Sequence, residues 1–278
     1  MAIMTVPVLL LTALASATAT TLPTKTQSVR VVYEEPKRAE NAAAAVWMTQ
    51  EHILEDAADM LSMLKLPKLL TLRAETCGES NAWYDPETHV LTFCYELVGD
   101  FIRMAEKSGH YELTPDQAVT GPFLFIVLHE TAHAVFHILA VPLLGQEEDA
   151  ADQLAVLTAT HLGGDFAERM LRAAAFMYDH DSKTRKPGEE DFADVHGLDR
   201  QRFYNVLCLA WGADPKLYSF AKDLGKLPDE RAEWCGDEFQ QVQYAVRVLI
   251  RQHVDEKEID RVRTKFAHSK FARSKLAR

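Results

Sequence analysis

"FIVLHETAHAVFHILA", residues 125–140, sets three histidines and one glutamate inside an otherwise apolar run. His129 and His133 stand four residues apart, so on a helix both rings leave one face and can offer nitrogens to a single cation. With Glu130 between them the stretch matches H-E-x-x-H. The glutamate lies one residue round the helix, where it reaches water on a zinc ion without competing as a ligand. The ion lowers the pKa of that water and the carboxylate takes its proton. Ile126, Val127, Leu128, Ala132, Ala134, Val135, Phe136 and Ile138 make the helix apolar nearly all round, which predicts burial. Unpartnered polar groups there would cost about 2–7 kcal/mol each, a penalty that coordination offsets. His137 falls eight residues after His129, about 12 Å along the axis. Zinc ligands lie about 2 Å from the metal, so a straight helix cannot bring all three rings to one ion. His137 therefore reads as a buried, hydrogen-bonded histidine or a support for a ligand.

A catalytic zinc needs a third protein ligand and one exchangeable position. "GQEEDAADQLA", residues 145–155, opens the next helical pattern with Glu148 and Asp152 on one face, continued by the small residues Ala155 and Ala159. That spacing gives Glu148 the ligand role and sets Asp152 to orient a ligating histidine through its distal N–H. Glu147 and Asp149 are the alternative ligands, displaced about 100° either way round the helix, where their ordinary role is favourable charge at a helix start.

Elsewhere the pattern is α+β. Residues 28–36 alternate as a strand ending at Pro36, residues 41–64 carry one helical stripe through Val46, Ile53, Ala57, Met60 and Leu64, and residues 68–75 and 89–97 read as strands. An Asp-Pro turn occupies residues 84–88. Nearly everything after Cys94 is helical, so a small N-terminal sheet with helices precedes a mainly helical C-terminal half. Residues 179–192 read as a surface loop.

The formal charge of −11 is uneven: from Arg261 onward there are seven Lys or Arg and no acid, against 23 basic and 41 acidic residues before it. An acidic body argues against nucleic acid as a partner. The organisation expected is a signal peptide over residues 1–19, one catalytic domain over 28–255 and a basic tail over 256–278, read as a solvated helix end. The signal reading rests on the apolar stretch from Val6 to Leu14 and the Ala17-Thr18-Ala19 cleavage pattern, although no Lys or Arg precedes that stretch. It is too short for a permanent span, so no transmembrane anchor is expected and the chain reads as exported, periplasmic or secreted. Four cysteines allow three pairings. In an exported chain the local one, Cys77–Cys94 with Cys208–Cys235, staples neighbouring elements.

Taken together these residues resemble a zincin of the gluzincin type, in which H-E-x-x-H is followed by E-x-x-x-D. The resemblance is closest to a bacterial family of metallopeptidases of otherwise unknown function. It is carried by residues 77–97 ("CGESNAWYDPETHVLTFCYEL"), 129–136 with 145–155, and 196–215 ("HGLDRQRFYNVLCLAWGADP"). It implies a zincin-like fold and zinc-dependent peptide hydrolysis, with His129, His133 and Glu148 as ligands and Glu130 as general base. It also implies a downstream donor to the oxyanion, for which His196, Arg202 and Tyr204 are candidates. His196 comes first because a loop precedes it. In zincins an edge strand takes extended substrate by main-chain pairing, a place here for Asn81 to Tyr84. A different class of function, a catalytically inactive zincin scaffold that binds metal or a protein, is disfavoured by Glu130, which metal binding alone does not need.

Overall fold

The computed structural model describes residues 29–184 and 186–273; the expected signal peptide lies outside them. β1 (Val29–Tyr33), β2 (Leu70–Glu75), β3 (Ala82–Asp85) and β4 (Val90–Cys94) form one sheet in the order β1-β2-β4-β3. β1, β2 and β4 run parallel, and β3 returns antiparallel along β4 with Trp83 opposite Thr92. The middle strands are mostly buried runs, Leu70, Leu72 and Ala74 in β2 and all of β4, as expected where both faces are covered. The Asp-Pro turn forms where the sequence puts it: Asp85 Oδ1 accepts from Glu87 N at 2.9 Å, and Oδ2 accepts from Thr88 Oγ1 at 2.6 Å.

Between β1 and β2 the expected single helix is two, α1 (Ala42–Gln50) and α2 (Ile53–Leu61). His52 sits in the left-handed region at φ 52°, breaking the helix at a polar step. The break lets Ala44, Ala45 and Met48 of α1 and Ile53, Leu54, Ala57 and Met60 of α2 all reach the core, while Val46 turns outward. The expected strand over 89–97 stops at Cys94, and α3 (Tyr95–Ala105) begins at once.

The C-terminal half is built on α4 (Pro115–Ile138), which packs against α5 (Glu147–Leu162) and α6 (Gly164–Asp181). A capping box starts α4: Gln117 N donates to Thr114 Oγ1 at 3.2 Å, and Thr114 N donates to Gln117 Oε1 at 3.0 Å. Gly121 lets α4 and α6 approach closely, since a side chain there would run into Ala173. This is the helix among the described residues long and apolar enough to cross a membrane, but 89% of its apolar window is buried inside the fold. It is a core helix. α7 (Glu189–Phe192), α8 (Asp199–Ala213), α9 (Phe220–Asp223) and α10 (Asp229–Leu249) follow.

Two sequence expectations give way here. The 179–192 segment begins inside α6, and Asp179 is buried, bonded to Tyr111 Oη at 2.7 Å and Arg200 Nη1 at 2.6 Å. As far as Arg273 the basic end is docked rather than solvated. α11 (Glu256–Ala267) and α12 (Lys270–Arg273) bury Val262, Phe266, Phe271 and Ala272, with Phe166 stacked between Phe266 and Phe271 at 4.7 and 5.1 Å. Lys265 and Lys270 pair with acids of the fold, Asp56 and Asp116.

Both local disulfides are present, Cys77–Cys94 tying the segment just past β2 to the end of β4 and Cys208–Cys235 tying α8 to α10. Two such bridges point to an oxidising, exported location. Loops of 17 and 27 residues correspond to about 3 kcal/mol each by loop-closure entropy. Reduction is expected to lower the midpoint of chemical denaturation by an equivalent amount, and thiol titration of the unfolded, unreduced protein to find no free cysteine.

Candidate metal centre

α4 carries His129, Glu130 and His133 on the side facing the start of α5, and burial is steep: His129 is 3% exposed and Glu130 7%. The two imidazole rings meet edge to face with centroids 4.9 Å apart. From the first turn of α5, Glu148 reaches between them. Its Oε2 lies 3.1 Å from His129 Nε2 and 3.5 Å from His133 Nε2, and the two Nε2 atoms are 3.2 Å apart. Atoms held about 2.0–2.1 Å from a tetrahedral ion stand about 3.3 Å from one another. The three atoms thus have the dimensions of one face of such a coordination sphere.

The opposite side of each ring explains why the Nε2 atoms face inward. His129 Nδ1 donates to Asp152 Oδ1 at 2.9 Å, and His133 Nδ1 donates to Glu147 Oε1 at 2.8 Å. A carboxylate only accepts, so both Nδ1 atoms carry hydrogen. Neutral rings then aim two bare lone pairs and a carboxylate oxygen at one point, and protonated rings place two cations side by side. The neutral arrangement is relieved when a cation sits among the three atoms, and imidazole and carboxylate are a donor set suited to zinc. In the metal-free protein, hydrogen bonds from His129, His133 and His196 outweigh desolvation and hold Glu148 well below the usual carboxylate range. Burial would push His133 down, but bonds to Glu148 and Glu147 raise it to about 9. Burial raises the Glu130 carboxyl, against the pull of the neighbouring imidazoles.

Asp152 is itself anchored. Burial opposes its charge, but Arg202 of α8 offsets this with a bidentate pair, Nε to Oδ2 at 2.7 Å and Nη2 to Oδ1 at 2.8 Å, so Asp152 stays ionised well below its ordinary pKa. Tyr178 of α6 also donates to Oδ1, at 3.2 Å, and the guanidinium lies over its ring at 4.5 Å. Replacing Arg202 with methionine leaves a buried carboxylate without its counter-ion. We expect a loss of about 3–5 kcal/mol in denaturant unfolding. We also expect about 10- to 100-fold weaker zinc binding by competitive chelator titration, through the loosened His129 ring.

Of the three downstream candidates, His196 enters the centre, its Nε2 3.1 Å from Glu148 Oε2. Arg202 instead supports Asp152, and the Tyr204 hydroxyl accepts from Arg200 Nη2 at 3.0 Å. His137 is exposed rather than buried. Its Nδ1 is 3.1 Å from Tyr84 Oη, which is 2.9 Å from His89 Nδ1, so it links α4 to the edge strand β3. Two contacts escaped the sequence reading. Glu147 as the partner of His133 was masked by its ordinary place in a helix first turn, and Asp194 as the partner of His196 had for a signal only its position two residues upstream.

The family described as "Putative metallopeptidase" matches residues 33–250, a span that holds every residue named in this centre. The chain belongs to that family. No curated protein and no solved structure matches. Membership brings a general metallopeptidase role, and the His129, Glu148 and His196 donor atoms, all within 4.8 Å of one another, are a group able to hold a metal.

Proposed function

We propose that the protein is a zinc-dependent peptidase of the gluzincin type that acts outside the cytoplasm on peptide or protein substrates. The observation that supports this best is the triangle of His129 Nε2, His133 Nε2 and Glu148 Oε2, with edges of 3.1, 3.2 and 3.5 Å. In this reading those three residues hold the ion. When bound, zinc polarises the scissile carbonyl and makes water acidic enough to lose a proton near neutral pH. Glu130 accepts that proton on its carboxylate as water attacks the carbonyl carbon, then returns it to the departing amide nitrogen as the C–N bond breaks. His196 Nε2, once protonated, donates to the oxyanion that forms, while Asp194 holds the ring through Nδ1 at 2.9 Å.

The substrate class follows from β3. Among the described residues this edge strand is paired on one side only, with β4, and it packs along α4, where Tyr84 meets His137 one turn past His133. An extended peptide adds to such an edge by main-chain hydrogen bonds. Trp83, 37% exposed on that strand, offers apolar surface to a substrate side chain.

Dialysis against a zinc chelator should abolish cleavage of an unfolded protein substrate, and one equivalent of zinc should restore it. Cleavage that persists in protein shown to be metal-free would refute the proposal. A protein that binds zinc yet cleaves no member of a broad unfolded panel would instead fit an inactive scaffold.

A further inference from the structure

Three helices of the C-terminal half turn largely apolar stripes toward one space. The stripes run from Leu128 to Val135 on α4, from Leu154 to His161 on α5, and from Gln243 to Ile250 on α10 and its C-cap. Each has the i, i+3, i+4, i+7 spacing of a single helical face. On α4 and α5 this is not the face that carries His129, His133 or Glu148, so the space lies behind the metal centre rather than in it. Its remaining wall is a short cross-link between distant segments. Leu64 pairs antiparallel with Val254, Lys65 N donates to His253 O at 2.7 Å, and Asp255 N donates to Met63 O at 2.8 Å.

These walls enclose a cavity of about 340 Å³. It stands where two clusters of buried side chains meet, Leu128 and Leu157 belonging to the main core and Val135 and Leu154 to a smaller one. A cavity of that size, apolar with a few polar groups, is the form taken by sites for small organic molecules. The charged groups on its lining set the class of molecule. Arg251 Nη2 donates to Glu256 Oε1 at 2.7 Å, a pair that is neutral overall. Arg247, exposed and one turn before Arg251, has no carboxylate partner among the described residues, and its guanidinium lies over the Tyr244 ring at 5.3 Å. The lining therefore joins an apolar interior to one uncompensated cation. An alkyl chain suits the first, and a carboxylate suits the second, because a guanidinium binds it through two parallel hydrogen bonds.

We propose that this cavity binds a medium-chain fatty acid, with the alkyl chain between α4, α5 and α10 and the carboxylate on Arg247. No lining residue is a candidate metal ligand, so the site is separate from the peptidase reading and does not depend on it.

The test is calorimetric titration of the full chain with hexanoate, octanoate and decanoate, each below its micelle concentration. Decanoate should bind at one per chain, and affinity along the series should rise about fourfold for each added CH₂. Val246→Trp, which fills the space from the α10 side, should weaken decanoate binding by about tenfold or more. Arg247→Glu should weaken decanoate by about tenfold and leave 1-decanol unchanged, since only the acid uses the guanidinium. His133→Ala, with its metal lost, should bind decanoate as wild type does. If wild type shows no saturable binding, or if both cavity variants bind decanoate unchanged, the site is wrong. If Arg247→Glu weakens decanol and decanoate equally, the fatty-acid assignment is wrong. Thermal unfolding checks that Val246→Trp folds, and Arg247→Glu, on an exposed residue, keeps the test decisive if it does not.

Discussion

Replacing His133 with alanine should take metal content from about one zinc per chain to less than a tenth. The ring supplies one corner of the triangle with His129 Nε2 and Glu148 Oε2. With it gone, two protein ligands remain, His129 on α4 and Glu148 on α5, and α4 offers no substitute, since His137 turns away to Tyr84. The fold should survive, because His133 is partly exposed and its partner Glu147 returns to solvent at small cost. Stability gives an independent readout. Metal that binds only the folded chain stabilises wild type by about 4 kcal/mol at a thousandfold excess over the dissociation constant. For a chain of this size that is about 8–16 °C, at about 2–4 °C per kcal/mol. Chelation should therefore lower the melting temperature of wild type and leave that of His133→Ala unmoved. Equal zinc content in the two proteins by elemental analysis would exclude His133 as a ligand.

The features that could be read in the sequence are those set by local spacing. His129, Glu130 and His133 are related by one helical turn, and Glu148 and Asp152 by another, so the faces followed once both segments were helical. The Asp-Pro turn, the strands within residues 68–75 and 89–97 and the cysteine pairing are also local or nearly so. The rest depends on tertiary choice. The stripe from Val46 to Leu64 is a valid helical pattern, and the break at His52 arises only because two short helices bury more of it than one straight helix does. The charge run after Arg261 reads as a solvated end. Phe266 and Phe271 within it find Phe166 about a hundred residues away, a contact with no local signature. Arg202 illustrates the same limit. Its candidacy for the oxyanion came from position in a motif, whereas burial beside Asp152 and Tyr178 makes it a support for the His129 ring. Sequence spacing thus reaches residues that share a helical face, Asp152 included, whereas supports such as Arg202 and Tyr178 become visible only when α5, α6 and α8 are packed together.

The second large effect should come from Glu130→Gln, which separates chemistry from binding. The amide has the shape of the carboxylate and cannot accept a proton from water, so turnover of an unfolded protein substrate should fall by about 10²–10⁴. Zinc content should not change, because His129, His133 and Glu148 are untouched. Stability should hold or rise in the metal-free protein, and the sign follows from burial. Desolvation raises the Glu130 pKa in the folded chain. A raised carboxylate pKa means that folding disfavours the ionised form, so at neutral pH the native state carries a penalty that a neutral glutamine lacks. A variant that is as stable as wild type, fully metal-loaded and inactive would place Glu130 in the reaction itself. Were it to keep wild-type turnover at equal zinc content, proton transfer through this carboxylate would be wrong even with the metal in place. Lost zinc or a lowered melting temperature would instead mean that the carboxylate has a structural part in the centre, which its place one residue round from His129 does not lead us to expect.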